Sequence, residues 1–119
     1  MLLTYDVGNT NIVIGLFEGD QLVAYWRFAS DRNRTGDELR LTTRSLLDEA
    51  GVGLDAIEGI AVASVVPSLN APLRTGLAPL ISGPVRFLSA DTSPIPLLVD
   101  RPGNVGAAVD LVPRDAGGG

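Results

Sequence analysis

Asp6, Gly8, Asn9, Thr10 and Asn11 are the residues of this chain whose types and spacing best suit chemistry. They stand in one run, Asp6-Val7-Gly8-Asn9-Thr10-Asn11-Ile12-Val13, between two short apolar stretches that read as strands, Leu2–Val7 and Ile12–Phe17. A turn of Gly, Asn, Thr and Asn can aim backbone N–H groups and short side chains at a bound anion. A carboxylate at the end of the leading strand can hold a hydrated magnesium ion beside phosphates, because magnesium keeps much of its water and needs few protein ligands. The same residues also suit a plain hairpin, since Asn and Gly tolerate positive φ. Local pattern alone leaves both readings open.

The surrounding elements must position that run. Leu22–Ala29 reads as a third strand, joined to the second through Glu18-Gly19-Asp20-Gln21. Thr35 with Glu38 three residues on makes a capping box, and Leu39, Thr42, Thr43, Leu46, Leu47 and Ala50 follow at helical spacing until Gly51. Ile57–Val66 holds the short apolar run Ile60-Ala61-Val62-Ala63, fit for a buried parallel strand. A second helix is expected within Ser68–Leu80, beginning near Asn70 so that Pro72 falls in its first turn. Val85–Ser89 reads as a strand and Asp91–Pro102 as an extended, Pro-rich stretch. The order is three antiparallel strands, helix, strand, helix, strand, which builds an α/β layer on a mixed sheet.

Composition narrows the function classes. The 119 residues suffice for one domain with its own core, 45% of them hydrophobic. A net charge of −5 argues against nucleic-acid partners and against adsorption to anionic membranes. The chain has neither Cys nor His, so disulfides, thiolate metal sites and imidazole catalysis are excluded. All nine basic residues are Arg, which reads as codon preference and not as a site. The first residues lack a basic, apolar signal and no run is long enough to span a bilayer, so a cytoplasmic location is expected. Arg27, Arg32, Arg34 and Arg40 surround the third strand and first helix and read as a solvated face, with contact to an anionic ligand as the other reading. Trp26 and Phe28 share one face of their strand, suited to the core or to a subunit interface.

Asp6-Val7-Gly8-Asn9-Thr10-Asn11 followed by an apolar strand resembles the first phosphate motif of the type III pantothenate kinases, within the acetate kinase, sugar kinase, Hsp70 and actin superfamily. Ala63-Ser64-Val65-Val66-Pro67-Ser68-Leu69 resembles the family's Ser-Val-Val-Pro segment. Thr35-Gly36-Asp37-Glu38-Leu39 is similar to another recurrent stretch, and Pro94–Pro102 resembles the approach to the substrate motif. These motifs stand in family order from Met1 to about Ala107.

The resemblance implies a single ribonuclease H-like, actin-like ATPase domain over residues 1–107, with a mixed sheet flanked by helices, and the family's second domain missing. It implies ATP-dependent phosphorylation of pantothenate, the opening step of coenzyme A synthesis. ATP with Mg²⁺ is the implied cofactor, and Asp6, Val7, Gly8, Asn9, Thr10, Asn11, Ile12 and Val13 are implied on its phosphates, with Asp6 reaching magnesium through water. A monovalent cation, K⁺ or NH₄⁺, is implied too, its site lying in the missing domain. Gly106 and Ala107 are the remnant of the substrate motif, and a homodimer is the implied assembly.

The family pattern then breaks. Members continue Gly-Ala-Asp-Arg, whose Asp is the proposed base for the pantothenate hydroxyl. Here Ala108 replaces that Asp and Val109 the Arg. Asp110 is a weak substitute, because two residues rotate a helical side chain by about 200°. No catalytic residue is intact on this reading. Residues 108–119 read as a divergent, disordered tail after the start of a third helix at Asn104. The expectation is a truncated or frameshifted kinase, or a domain-sized piece of one, inactive alone. The alternative is a non-catalytic regulatory or binding relative; another superfamily kinase or phosphatase fits the Ser-Val-Val-Pro and Ile-Pro-Leu-Leu stretches less well.

Overall fold

Three successive strands open the chain, and each reversal has a local cause. The computed structural model describes residues 1–88. Strand β1 spans Leu2–Val7, β2 Asn11–Glu18 and β3 Gln21–Ala29, paired antiparallel in sequence. The second reversal turns at Gly19, whose φ of 60° needs no Cβ, with Glu18 facing Gln21 across a two-residue loop. A register shift between Leu16 and Phe17 bulges this hairpin, and Leu22 packs with Phe17 and Val13.

Helix α1 spans Gly36–Glu49 and is capped as the sequence predicts. The Thr35 hydroxyl accepts from the Glu38 N–H at 3.1 Å, and the Thr35 N–H donates to Glu38 Oε1 at 2.8 Å. At its other end Gly51 takes a φ of 75°, and the Val52 and Gly51 N–H groups donate to the Leu47 and Asp48 carbonyls. That pair of bonds is a Schellman stop. The chain then passes a single 3₁₀ turn, Leu54–Ala56, into β4, Gly59–Ser64, which lies parallel to β1.

Helix α2 corrects an expectation. It runs Pro67–Leu77, so it starts at Pro67 and not near Asn70, and Pro72 lies inside it. Pro67 occupies the first helical position, where a missing N–H costs nothing. Pro72 deprives one carbonyl, that of exposed Ser68 in the first turn, of its helical donor. The gain is a buried Leu69, Leu73 and Leu77 stripe. A 3₁₀ turn, Ala78–Leu80, leads to β5, Val85–Leu88, parallel to β4. The sheet order is β3-β2-β1-β4-β5. The proposed extended segment at Asp91–Pro102, the third helix at Asn104 and the tail from Ala108 lie outside the described residues.

One face of the sheet supplies the main core. Leu3, Tyr5, Val7, Ile12, Ile14, Leu16, Ile60 and Val62 pack there with Leu39, Leu47, Leu69, Leu73 and Leu77 of the helices. Trp26 and Phe28 lie partly buried against the same cluster, which is the core reading of that pair. Two devices lock the layer. Where α1 meets α2, Gly36 and Gly76 allow the backbones to touch: a Cβ on Gly76 would stand 2.2 Å from the Gly36 carbonyl oxygen. Between sheet and helix, the Thr43 hydroxyl donates to the Leu39 carbonyl at 2.7 Å, so the buried Tyr5 hydroxyl donates to Thr43.

Both devices predict measurable effects. Gly76→Ala is expected to lower stability by about 1–3 kcal/mol through overpacking, although Ala normally exceeds Gly in a helix by about 1 kcal/mol. Urea denaturation checks the sign; a neutral or stabilising result would contradict the backbone contact. Burial pushes the Tyr5 phenol above the ordinary value of 10.0. The folded state therefore favours neutral Tyr5, and the stability tied to it is complete below pH 10.0 and falls as pH rises past that value. Tyr5→Phe is expected to be less stable near pH 7 by about 1 kcal/mol and to lose less stability above pH 10, where each pH unit is worth about 1.4 kcal/mol. Denaturation midpoints measured from pH 7 to 12 check the crossing.

Candidate functional site

The turn joining β1 to β2 stands at the edge of the sheet where β1, β3 and β4 all end. That convergence follows from topology: β4 is parallel to β1, and two antiparallel steps bring β3 into the same direction. Ligands of open α/β sheets gather at this carboxyl edge.

Gly8, Asn9 and Thr10 form the turn. The Gly8 N–H donates to the Asn11 carbonyl at 2.9 Å, and the Thr10 carbonyl accepts from the Ser30 N–H at 2.8 Å. Both bonds point inward and hold the turn against its neighbours. Asn9 and Thr10 are both exposed. Positive φ is confined, among the described residues, to Gly19 and Gly51. The left-handed conformations that would explain Gly and Asn here as mere turn formers are therefore absent from residues 8–11. What the turn does present is two exposed residues, Asn9 and Thr10, with a hydroxyl and an amide, beside the amide of Asn11, residue types suited to an oxyanion.

Asp6 precedes the turn on β1. Tyr5 and Val7 point into the core beneath the helices, so alternation puts Asp6 on the opposite face, half-buried. Its register neighbours are Val13 on β2 and Ala63 on β4. Among the described residues no three His, Cys, Asp or Glu side chains come together to hold a metal ion. A carboxylate at the end of β1 beside this turn fits magnesium, which takes one or two carboxylates and completes its shell with phosphate oxygens and water. Val7, Ile12 and Val13 are buried, so these members of the predicted set anchor the turn by packing.

The Ser-Val-Val-Pro stretch has a local task as well. The Val65 N–H donates to the Val7 carbonyl at 3.0 Å, extending the ladder to the end of β1. The Ser64 hydroxyl accepts from the Val66 N–H at 3.1 Å and donates to the Val66 carbonyl at 3.2 Å, turning the chain from β4 into α2. Val66, the residue before the helix, has no side-chain cap of its own, and Ser64 occupies that region instead.

The arginines do not act as one face. Arg40 pairs with Asp37 at 3.0 Å in an exposed i,i+3 bridge. Arg34 stacks 5.0 Å from the Phe28 ring centre and donates to the Ala29 carbonyl at 3.4 Å. Arg32 alone of these reaches the turn, donating from Nη2 to Asn9 Oδ1 at 3.2 Å. Its place is set by long-range pairing, since Asn11 faces Ala29 and so brings the loop after β3 beside Asn9. Gly106, Ala107, Ala108 and Asp110 lie outside the described residues.

Comparison with known proteins identifies the family and the fold. The type III pantothenate kinase family profile matches residues 2–111, past Ala107. The chain is 42% identical over 113 residues to a type III pantothenate kinase of Moorella thermoacetica and 38% identical over 113 residues to one of Exiguobacterium, in each case covering 90% of this chain and 42% of the relative. It thus spans less than half the length of these curated relatives. Among solved structures, a ROK hexokinase from Thermus thermophilus superposes with a TM-score of 0.56 at 20% identity, over 73% of this chain and 34% of that one. A Bacteroides thetaiotaomicron protein with an actin-like ATPase fold superposes with a TM-score of 0.54 at 13% identity, over 73% and 32%. At such identities these two likenesses speak for the fold.

Amide hydrogen exchange checks the turn. The Gly8 amide is expected to be protected, and the Asn9 and Thr10 amides to exchange near the rate of an unstructured chain. Equal protection across residues 8–10 would mean that the Asn9 and Thr10 amides are held within the protein and not open to a ligand.

Proposed function

This chain belongs to the type III pantothenate kinase family, and we propose that it is the phosphate-binding part of an ATP-dependent pantothenate kinase. One observation carries the reading: Asp6 stands two residues before a Gly8-Asn9-Thr10 turn whose Asn9 and Thr10 are exposed at the carboxyl edge of the sheet. Phosphoryl transfer needs positioning and charge neutralisation more than covalent help from the protein. On this reading the turn binds phosphate oxygens through its N–H groups, and Asp6 holds hydrated magnesium beside them. Magnesium, when bound, neutralises charge on the phosphates.

The acceptor side of the reaction is thinner. Ala108 cannot take a proton from the pantothenate hydroxyl, and Val109 offers no charge. The chain covers 42% of its curated relatives, so a nucleotide on this part alone would be open on one side. Weak nucleotide binding without turnover is the outcome that follows. A monovalent cation, a homodimer and a cytoplasmic location belong to the same proposal by family resemblance; among the described residues no helix is long and apolar enough to cross a membrane.

Titration of the ¹⁵N-labelled chain with Mg-ATP tests this reading. The amide signals of residues 8–11 are expected to move, and Asp6→Asn is expected to weaken the magnesium-dependent part about tenfold, the worth of one charge-assisted contact. A coupled assay of the same sample is expected to find no phosphorylation of pantothenate. Turnover by the chain alone would overturn the acceptor-side reading, and silent signals at residues 8–11 would overturn the phosphate-side reading.

A further inference from the structure

Arg32 and Asn9 make a contact that the family motif does not contain. Arg32 lies outside the Asp6–Val13 run, yet its guanidinium donates to the Asn9 side chain at 3.2 Å. A guanidinium carries five donors and no acceptor. Its partner on the amide is therefore Oδ1, and the opposite end of the amide, Nδ2, is left with both hydrogens to give. An Asn side chain without such a partner can turn either end outward and so present an acceptor to an anion. Arg32 removes that choice.

The loop that carries Arg32 is tied at both ends. The Ser30 N–H holds the Thr10 carbonyl at 2.8 Å. Asp31 accepts twice, from the Asn33 N–H through Oδ1 at 2.9 Å and from the Arg34 N–H through its carbonyl at 3.1 Å. Arg34 in turn is stacked on Phe28. Arg32 is thus presented from a braced turn to the flank of a second turn, Gly8-Asn9-Thr10, whose last two residues are exposed. The result is a cradle of donors with a permanent positive charge at its rim. Its matching ligand is a multiply charged oxyanion chain, because a guanidinium takes phosphate oxygens in a planar, directional way.

We propose that Arg32 is a positioning residue of the phosphate turn: it fixes the Asn9 amide with its NH₂ outward and adds a guanidinium to the binding of an oligophosphate. This rests on the phosphate-turn reading given above. The bond from Arg32 Nη2 to Asn9 Oδ1 assigns the amide orientation, and the guanidinium of this exposed residue has four further N–H donors.

The test is a titration of the full ¹⁵N-labelled chain with sodium tripolyphosphate, which has the charge of a nucleotide tail and no base or sugar. The wild-type chain is expected to show movement of the Asn9 side-chain NH₂ signals together with the Asn9 and Thr10 amides. Arg32→Ala is expected to weaken binding about tenfold, the worth of one charge-assisted hydrogen bond. Arg32→Gln can still donate to Asn9 Oδ1 but has no charge, so it is expected to keep the Asn9 NH₂ response while losing affinity and salt dependence. If Arg32→Ala binds within twofold of wild type with the same Asn9 response, the role of Arg32 is refuted and the phosphate turn stands. If the wild-type turn signals do not move, both fall. Circular dichroism confirms that each variant is folded, and Arg32→Gln carries the test should the alanine variant unfold; a glutamine variant identical to wild type in affinity and salt dependence refutes the charge contribution.

Discussion

The register of β1 between β2 and β4 is the constraint on which the rest of this structure depends. Leu3, Tyr5 and Val7 face the helices while the residues between them face the other way. With a side-chain period of two, a slip of one residue would drive Asp6 under the helices and lift Tyr5 and Val7 out of the core. Burying a carboxylate under the helices and exposing two core side chains are both unfavourable, so the slipped sheet is strongly disfavoured. The same alternation that builds the core therefore delivers the carboxylate to the open end of the sheet.

The helices keep that register from relaxing. The buried Tyr5 hydroxyl donates to Thr43, which donates to Leu39, so β1 is tied to α1 next to Asp6. Gly36 and Gly76 let α1 and α2 approach until backbone meets backbone. Ser64 turns β4 into α2 with two bonds to Val66, and the Val65 N–H extends the pairing to Val7 at the foot of the turn. A motif that looks like a signature of chemistry thus acts, in the described residues, as a hinge of architecture. It positions the turn of Gly8, Asn9 and Thr10.

Charge at the site is assembled from separate parts of the chain. The protein as a whole carries −5, yet the turn is flanked by Arg32 and offers donors. Net charge speaks to long-range encounter, whereas an oxyanion is held by the donors within hydrogen-bond reach. On the proposed reading the chain divides the same way, with a turn and a carboxylate for a phosphate side and Ala108 and Val109 where the family resemblance expects an acceptor side.

Much of this was legible in the sequence because it is local. Alternation revealed the strands, Thr35 with Glu38 revealed the start of α1, Gly51 its end, and Gly19 the hairpin reversal, since each depends on residues within one turn of chain. The run from Asp6 to Asn11 stood out for the same reason. The start of α2 was misplaced because proline rules name two permitted positions, and the choice of Pro67 over Pro72 was made by the Leu69, Leu73 and Leu77 stripe packing on the sheet. Arg32 could not be singled out among its neighbours from composition. Only the pairing of Asn11 with Ala29 sets it beside Asn9. Sequence alone determined which residues could turn, cap and alternate, because those preferences are properties of a few adjacent dihedrals. Tertiary structure decided which side chains meet, because contacts between distant residues exist only once the sheet register and the helix crossing have been set.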